Sequence, residues 1–273
     1  MRRGIREWKA YARGALQGNF GMPILGMLAI TGITFLGNNL TTTLFHDSSL
    51  FTMIAGQIFA FILSLIMGVF SAGLSYMFLN IARGQAHSFG DLLFFFKHHP
   101  DRVIVAGFVL GIINVVVTIP YYYVSYITPF GTTLEEQMVW VVKCGQYLIL
   151  ASVLNLLLTL PFVLTYYLLA DDLELGGIDA LKVSVRMMKG KIGKYLLLQI
   201  SFIPWMILSV FTLYIGLLWL MPYMEMTNVM FYRDIRGEFD VVYPREIYSS
   251  PLINTENPPG ENQDIHDDFN SEA

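Results

Sequence analysis

Five stretches of this chain run for at least 25 residues without a charged side chain: Phe20–Leu44, Phe51–Ile81, Val103–Ile127, Cys144–Ala170 and Tyr195–Met224. A helix needs about 20 apolar residues to cross the hydrocarbon core of a bilayer. Lipid offers no partner to backbone N–H and C=O groups, so a spanning segment must satisfy them internally. The pattern therefore predicts an all-α, polytopic membrane helix bundle. Composition agrees: only 14% of the 273 residues are charged and the mean hydropathy is +0.54, whereas soluble domains carry about 25% charge. That balance excludes a soluble enzyme and a nucleic-acid binder. The single cysteine, Cys144, excludes an internal disulfide and a multi-thiolate metal site.

The fifth tract stays apolar as far as Tyr232. Counted from Tyr195 it is 38 residues long, which as one helix would extend about 57 Å, nearly twice the core thickness. Two spans turning near Leu213–Gly216 fit better. The sequence thus predicts six transmembrane helices as three hairpins, at about 20–44, 51–81, 103–127, 144–170, 195–213 and 216–232.

Basic residues test this count, because the cytoplasmic segments of membrane proteins carry the excess Lys and Arg. With the N-terminus inside, Arg2, Arg3, Arg6, Lys9 and Arg13 fall on the inner side, as do Arg83, Lys97 and Arg102. Lys182, Arg186, Lys189, Lys191 and Lys194 follow, then Arg233, Arg236 and Arg245. That is 16 of the 17 basic residues. The outer loops around Asp47 and Glu135–Glu136 carry none, and Lys143 alone departs from the rule. The expected topology is N-in/C-in. No cleavable signal is evident, so the first span is expected to remain as an anchor.

Charge also divides the chain. Residues 1–236 have a net charge of +4 and residues 237–273 one of −8. The expected organisation is a basic amphipathic segment at 1–19, a membrane domain at 20–236 and an acidic, largely disordered cytoplasmic tail at 237–273. Each hairpin follows a cytoplasmic amphipathic segment. In the first, Trp8 and Tyr11 are available for the headgroup level. In the third, Ile178, Leu181, Val185 and Met188 share a face. Basic helices of this kind bind anionic lipid headgroups, which makes the bilayer itself the expected partner. Weak repeats support the division: Gly18 and Gly21 recur as Gly190 and Gly193, and Arg83–Gly84 recurs as Arg236–Gly237.

Three features could carry function. Gly56, Ala60, Ser64, Gly68 and Ala72 form a stripe of small residues at steps of four, which suits close helix packing within the chain or between copies. Asn114, Thr118 and Pro120 match Asn155, Thr159 and Pro161 on oppositely directed spans. Inverted, proline-interrupted helices surround the midplane sites of some transporters, and interhelical hydrogen bonding explains the same residues without transport. Glu225 is the one carboxylate expected deep in the hydrocarbon. An acid there is a functional candidate by default, with Asn228 or a tyrosine of another span as its partner.

Searches for G-x-S-x-G, H-E-x-x-H, C-x-x-C and a phosphate-cradling glycine loop find nothing. No catalytic residue, metal site or cofactor is expected. His98, His99 and Asp101 are too poorly arranged to hold a metal, and Asp171, Asp172 and Glu174 look like an acidic helix exit beside a basic surface segment, a divalent ion being the alternative.

About 65 residues, from Ala170 to Ile235, resemble the multi-pass membrane proteins of domain-of-unknown-function family 975, found mostly in Gram-positive bacteria. The similarity rests on Ser184, Met188–Lys189–Gly190, Phe202, Trp205, Gly216, Leu218–Trp219, Pro222–Tyr223 and Phe231–Tyr232. Members commonly have a glycine after the proline ending the fourth span; here Phe162 follows Pro161. The resemblance implies a six-span plan and a plasma-membrane location, and no activity. The sequence reading is then a non-enzymatic membrane protein for envelope maintenance, or a scaffold for lipid and protein partners or for its own copies. The alternatives are a small transporter using Glu225 and the Asn/Thr/Pro motifs, and self-protection against membrane-active peptides.

Overall fold

The computed structural model describes residues 3–46 and 49–239. Arg2, Asp47 and Arg245, and the acidic tail from residue 240 onward, lie outside the described residues. The chain forms α1 (Ile5–Leu16), α2 (Gly21–Leu44), α3 (Leu50–Ala82), a 3₁₀ helix (Phe89–Leu93), α4 (Phe94–Lys97), α5 (Pro100–Ile127), α6 (Leu134–Thr159), a second 3₁₀ turn (Leu160–Phe162), α7 (Thr165–Asp171), α8 (Gly177–Met188), α9 (Ile192–Ile200), α10 (Ile203–Phe211) and α11 (Leu217–Arg236). The described residues contain no strand.

Five segments are long and apolar enough to cross a membrane: Gly21–Leu44, Phe51–Ala82, Pro100–Tyr126, Leu134–Asp171 and Ile192–Phe211. They leave large apolar side chains outward, among them Phe35, Ile58, Phe108 and Leu157. The fourth starts at Leu134 instead of near Cys144. Thr133 and Glu136 form a capping box, with Glu136 N donating to Thr133 Oγ1 at 3.2 Å and Thr133 N to Glu136 Oε2 at 3.1 Å, so the helix nucleates before its charged residues end. The helix at the expected sixth span, α11, has 20 residues, but Glu225, Arg233, Asp234 and Arg236 lower its apolarity.

The tightest packing gathers at one end of the bundle, the base. Here the C-terminal halves of α3 and α11 meet α7, α1 and α8, and Trp8, Phe78, Phe202, Phe231 and Tyr232 are among the largest side chains removed from solvent. Trp8 therefore belongs to the core and not to the headgroup level: its ring meets Phe231 edge-on at 5.2 Å. Helix α8 also departs from expectation. It buries Gly177, Ala180, Leu181, Ser184 and Met188, while Ile178 and Val185 are exposed. Small residues win because α5 lies so close that a Cβ on Gly177 would stand 2.2 Å from the Arg102 carbonyl oxygen.

The repeats have a shared backbone. Gly18 and Gly190 both adopt positive φ, 83° and 75°, where α1 and α8 end ahead of the next long helix, a conformation costly for other residues. His99, which precedes α5, also has a positive φ.

The last hairpin turns between α10 and α11, where Leu213 and Tyr214 have φ of 50° and 65°. Leu217, Leu218, Met221 and Pro222 border a small crevice with Ile24, Met27, Leu28 and Thr31 of α2. Leu217, just past the turn, thus borders the first half of α2, which continues from Thr31 to Leu44, a further rise of about 20 Å.

Candidate functional site

The site grows from the break at Pro161. This proline cannot donate to the α6 ladder, and the helix stops at Thr159. Ser184 of α8 fills the gap, its Oγ donating to Pro161 O at 2.8 Å and accepting from Leu164 N at 3.2 Å. The chain restarts as α7 with Tyr166 and Tyr167 directed to different neighbours. Tyr166 faces Gly68 and Gly107. Tyr167, 4% exposed, donates its hydroxyl to Glu225 of α11.

Glu225 is partly buried, and its second oxygen accepts from Asn228 Nδ2 at 3.4 Å. Asn228 Oδ1 in turn accepts from Gln199 Nε2 at 2.8 Å. A polar relay therefore crosses α9, α11 and α7. Each acceptor faces a donor, which offsets the cost of removing these groups from water.

A charged cluster lies one level below. Asp171 pairs with Arg83 and with Arg236, each at 2.7 Å, and accepts from Tyr232 Oη at 2.7 Å. Glu238 pairs with Arg83 at 2.6 Å and Arg233 at 2.7 Å. Burial alone would push the Glu238 carboxyl up, but the hydrogen bonds from Arg83 and Arg233 outweigh it and hold its pKa below the ordinary value. Burial opposes the charge on Arg83, but hydrogen bonds to Glu238 and Asp171 outweigh it and raise the Arg83 pKa. The cluster fastens the C-terminal ends of α3, α7 and α11 to one another.

The remaining predicted residues do not gather at Glu225. Thr118 donates to Asn114 O at 2.8 Å, and Thr159 to Asn155 O at 2.7 Å, so both pairs bond within their own helices. Helix α5 runs on through Pro120. Asn114 borders a crevice of about 380 Å³ with Gln57, Ser64, Tyr122 and Tyr166, and Ala60 lines it too. The small stripe is therefore divided. Ala72 is fully buried, Gly56 faces Phe45 and Gly68 faces Tyr166, while Ala60 and Ser64 leave open space. His98 bonds Phe94 O at 3.1 Å. Among the described residues, no group of three or more His, Cys, Asp or Glu side chains could hold a metal ion.

The model of the family described as "Protein of unknown function (DUF975)" matches residues 1–238. This chain belongs to the DUF975 family. No curated protein and no solved structure matches it. The match extends well beyond the 65 residues that carried the resemblance and takes in α1 and the first two hairpins. In this DUF975 protein the partners of the site's most interlocked residues escape sequence reading. Asp171 carries no sequence signal of its arginine partners, and nothing in the sequence pairs Ser184 with Pro161, 23 positions away.

Proposed function

We propose that this DUF975 protein is a non-enzymatic integral protein of the bacterial plasma membrane, serving envelope maintenance as a scaffold for lipid and protein partners. Its base faces the cytoplasm, with the N- and C-terminal sides both inside. The observation that carries this reading is the contrast between the two ends. The base is filled by large aromatic side chains around a closed ion network, whereas the long helices present broad apolar faces outward. A body of that kind works through its surfaces. The last hairpin keeps the same sidedness while dipping into the bilayer from the cytoplasmic side, a reading supported by Leu217, just past its turn, bordering the first half of α2, which runs on to Leu44.

The crevice between α3 and α5 favours a second reading, a small transporter, because Gln57, Ser64 and Asn114 supply polar groups along otherwise apolar helices. Extraction in membrane-preserving polymer discs followed by native mass spectrometry separates the two. The scaffold reading expects a homo-oligomer or a co-purified protein. A monomer carrying a water-soluble solute, lost on Asn114→Ala in that crevice, would overturn it in favour of transport.

A further inference from the structure

The groove between α1, α10 and α11 has a basic side and an aromatic side. It encloses about 640 Å³, within the usual range for small-molecule sites. Helix α1 lies antiparallel along α11: Arg3 bonds Phe239 O, Trp8 meets Phe231, and Lys9 O accepts from Tyr223 Oη. That alignment brings Arg6, Lys9 and Arg13, one face of α1 by their spacing, to the groove.

The three cations are not equivalent. Lys9 is committed to the protein, with Nζ donating to Ser201 O at 3.1 Å and lying 4.0 Å over the Phe202 ring. Arg6 and Arg13 are exposed, and neither enters an ion pair among the described residues. The neighbouring Glu7 is turned back to accept from Gly4 N at 3.0 Å. Opposite them stand Trp205 and Trp219, each more than half exposed, with Leu220 and Tyr223 behind. Trp205 follows Pro204 in the first turn of α10, just past the break at Ser201–Phe202, and Trp219 follows the turn at Gly216, so each is fixed by a local backbone feature.

We propose that this groove binds one anionic phospholipid, with its phosphate at Arg6 and Arg13 and an acyl chain between Trp205 and Trp219. The proposal rests on the membrane reading above and assigns it a specific site. An amphiphile is required because the basic row is continuous with an apolar wall. A free anion would leave the tryptophans bare, and an acidic peptide would bury polar backbone against them at a cost. Guanidinium groups suit phosphate through paired N–H donors.

The test uses the full chain in phosphatidylcholine nanodiscs with added phosphatidylglycerol, counting retained lipid by native mass spectrometry. Wild type should keep one phosphatidylglycerol. Arg6→Gln with Arg13→Gln should weaken that retention about tenfold or more, an affinity change of about 1.4 kcal/mol. Lys191→Gln with Lys194→Gln, beyond the amphipathic segments, removes the same charge elsewhere and should leave retention unchanged. Trp219→Ala, which spares the basic row, should also reduce it. Equal retention of both lipids, or an equal loss in the lysine control, would overturn the site. So would displacement by inorganic phosphate, or about tenfold tighter binding when the chain ends at residue 239, since the acidic tail would then be the occupant. Failure to enter nanodiscs would overturn the membrane reading itself, whereas entry without lipid preference overturns the site alone.

Discussion

Arg83 Nη2 lies 2.7 Å from Asp171 Oδ1, fastening the C-terminal cap of α3 to the last turn of α7. The Asp171 side chain is 7% exposed and also holds Arg236 of α11, so its loss would strand Arg236 and leave Arg83 to Glu238 alone. Breaking a fully buried pair costs about 3–5 kcal/mol. The guanidinium groups are 26% and 41% exposed, and water recovers part of that cost. Asp171→Ala should therefore lower stability by about 2–3 kcal/mol, measured by denaturant unfolding in detergent. A loss below about 0.5 kcal/mol would contradict the network's role.

Glu238 makes the same cluster sensitive to acid. Its folded pKa is lowered by Arg83 and Arg233, so folding favours the carboxylate. The resulting stability is complete above the ordinary carboxyl pKa and is lost as pH falls through the lowered folded value. The difference in melting temperature between wild type and Glu238→Gln should be constant near neutrality, shrink as pH falls below the ordinary carboxyl value of about 4.3, and vanish only below the lowered folded value. A difference that persisted in acid would contradict this origin.

Close backbone approach singles out Gly73. A Cβ there would stand 2.3 Å from Leu92 O, whereas one on Gly68 would meet only the Tyr166 hydroxyl, at 3.1 Å. A carbonyl in a packed turn cannot yield as a side-chain tip can. Gly73→Ala should cost about 1–3 kcal/mol more than Gly68→Ala, checked by comparing their unfolding midpoints. Equal midpoints would contradict it.

The legible parts of the fold were those written in local chemistry. Uncharged tract length marked the long helices, and the overlong fifth tract located the turn now seen around Leu213 and Tyr214. Gly18 and Gly190 were visible as a repeat because only backbone conformation requires them. Other contacts depend on tertiary arrangement. The stripe at steps of four passed over Gly73, since its neighbour is a 3₁₀ helix with no signature of its own. Trp8 resembles an interfacial anchor until α11 covers it. At the site, Glu225 stood out as an acid in an apolar tract, and sequence named Asn228 and a tyrosine as candidate partners. Which tyrosine it meets depends on the α7 restart after Pro161.

That contact gives a further test. Tyr167 donates to Glu225, so Tyr167→Phe and Glu225→Gln should be non-additive, with a coupling of about 0.5–3 kcal/mol in a double-mutant cycle. Each single variant should still accumulate in the membrane. Additive effects would contradict a direct bond.

The central claim is that the packed base faces the cytoplasm and that the last hairpin turns back within the bilayer. Cysteine accessibility in a Cys144→Ala background, read with a membrane-impermeant thiol reagent on intact cells and on inverted vesicles, tests it most directly. Thr132→Cys, in the α5–α6 loop, should label only from outside. Gln85→Cys, beyond α3, should label only from inside, and Tyr214→Cys from neither side. Labelling of Gln85→Cys from outside would contradict the orientation, and labelling of Tyr214→Cys from outside would show that the last hairpin crosses completely.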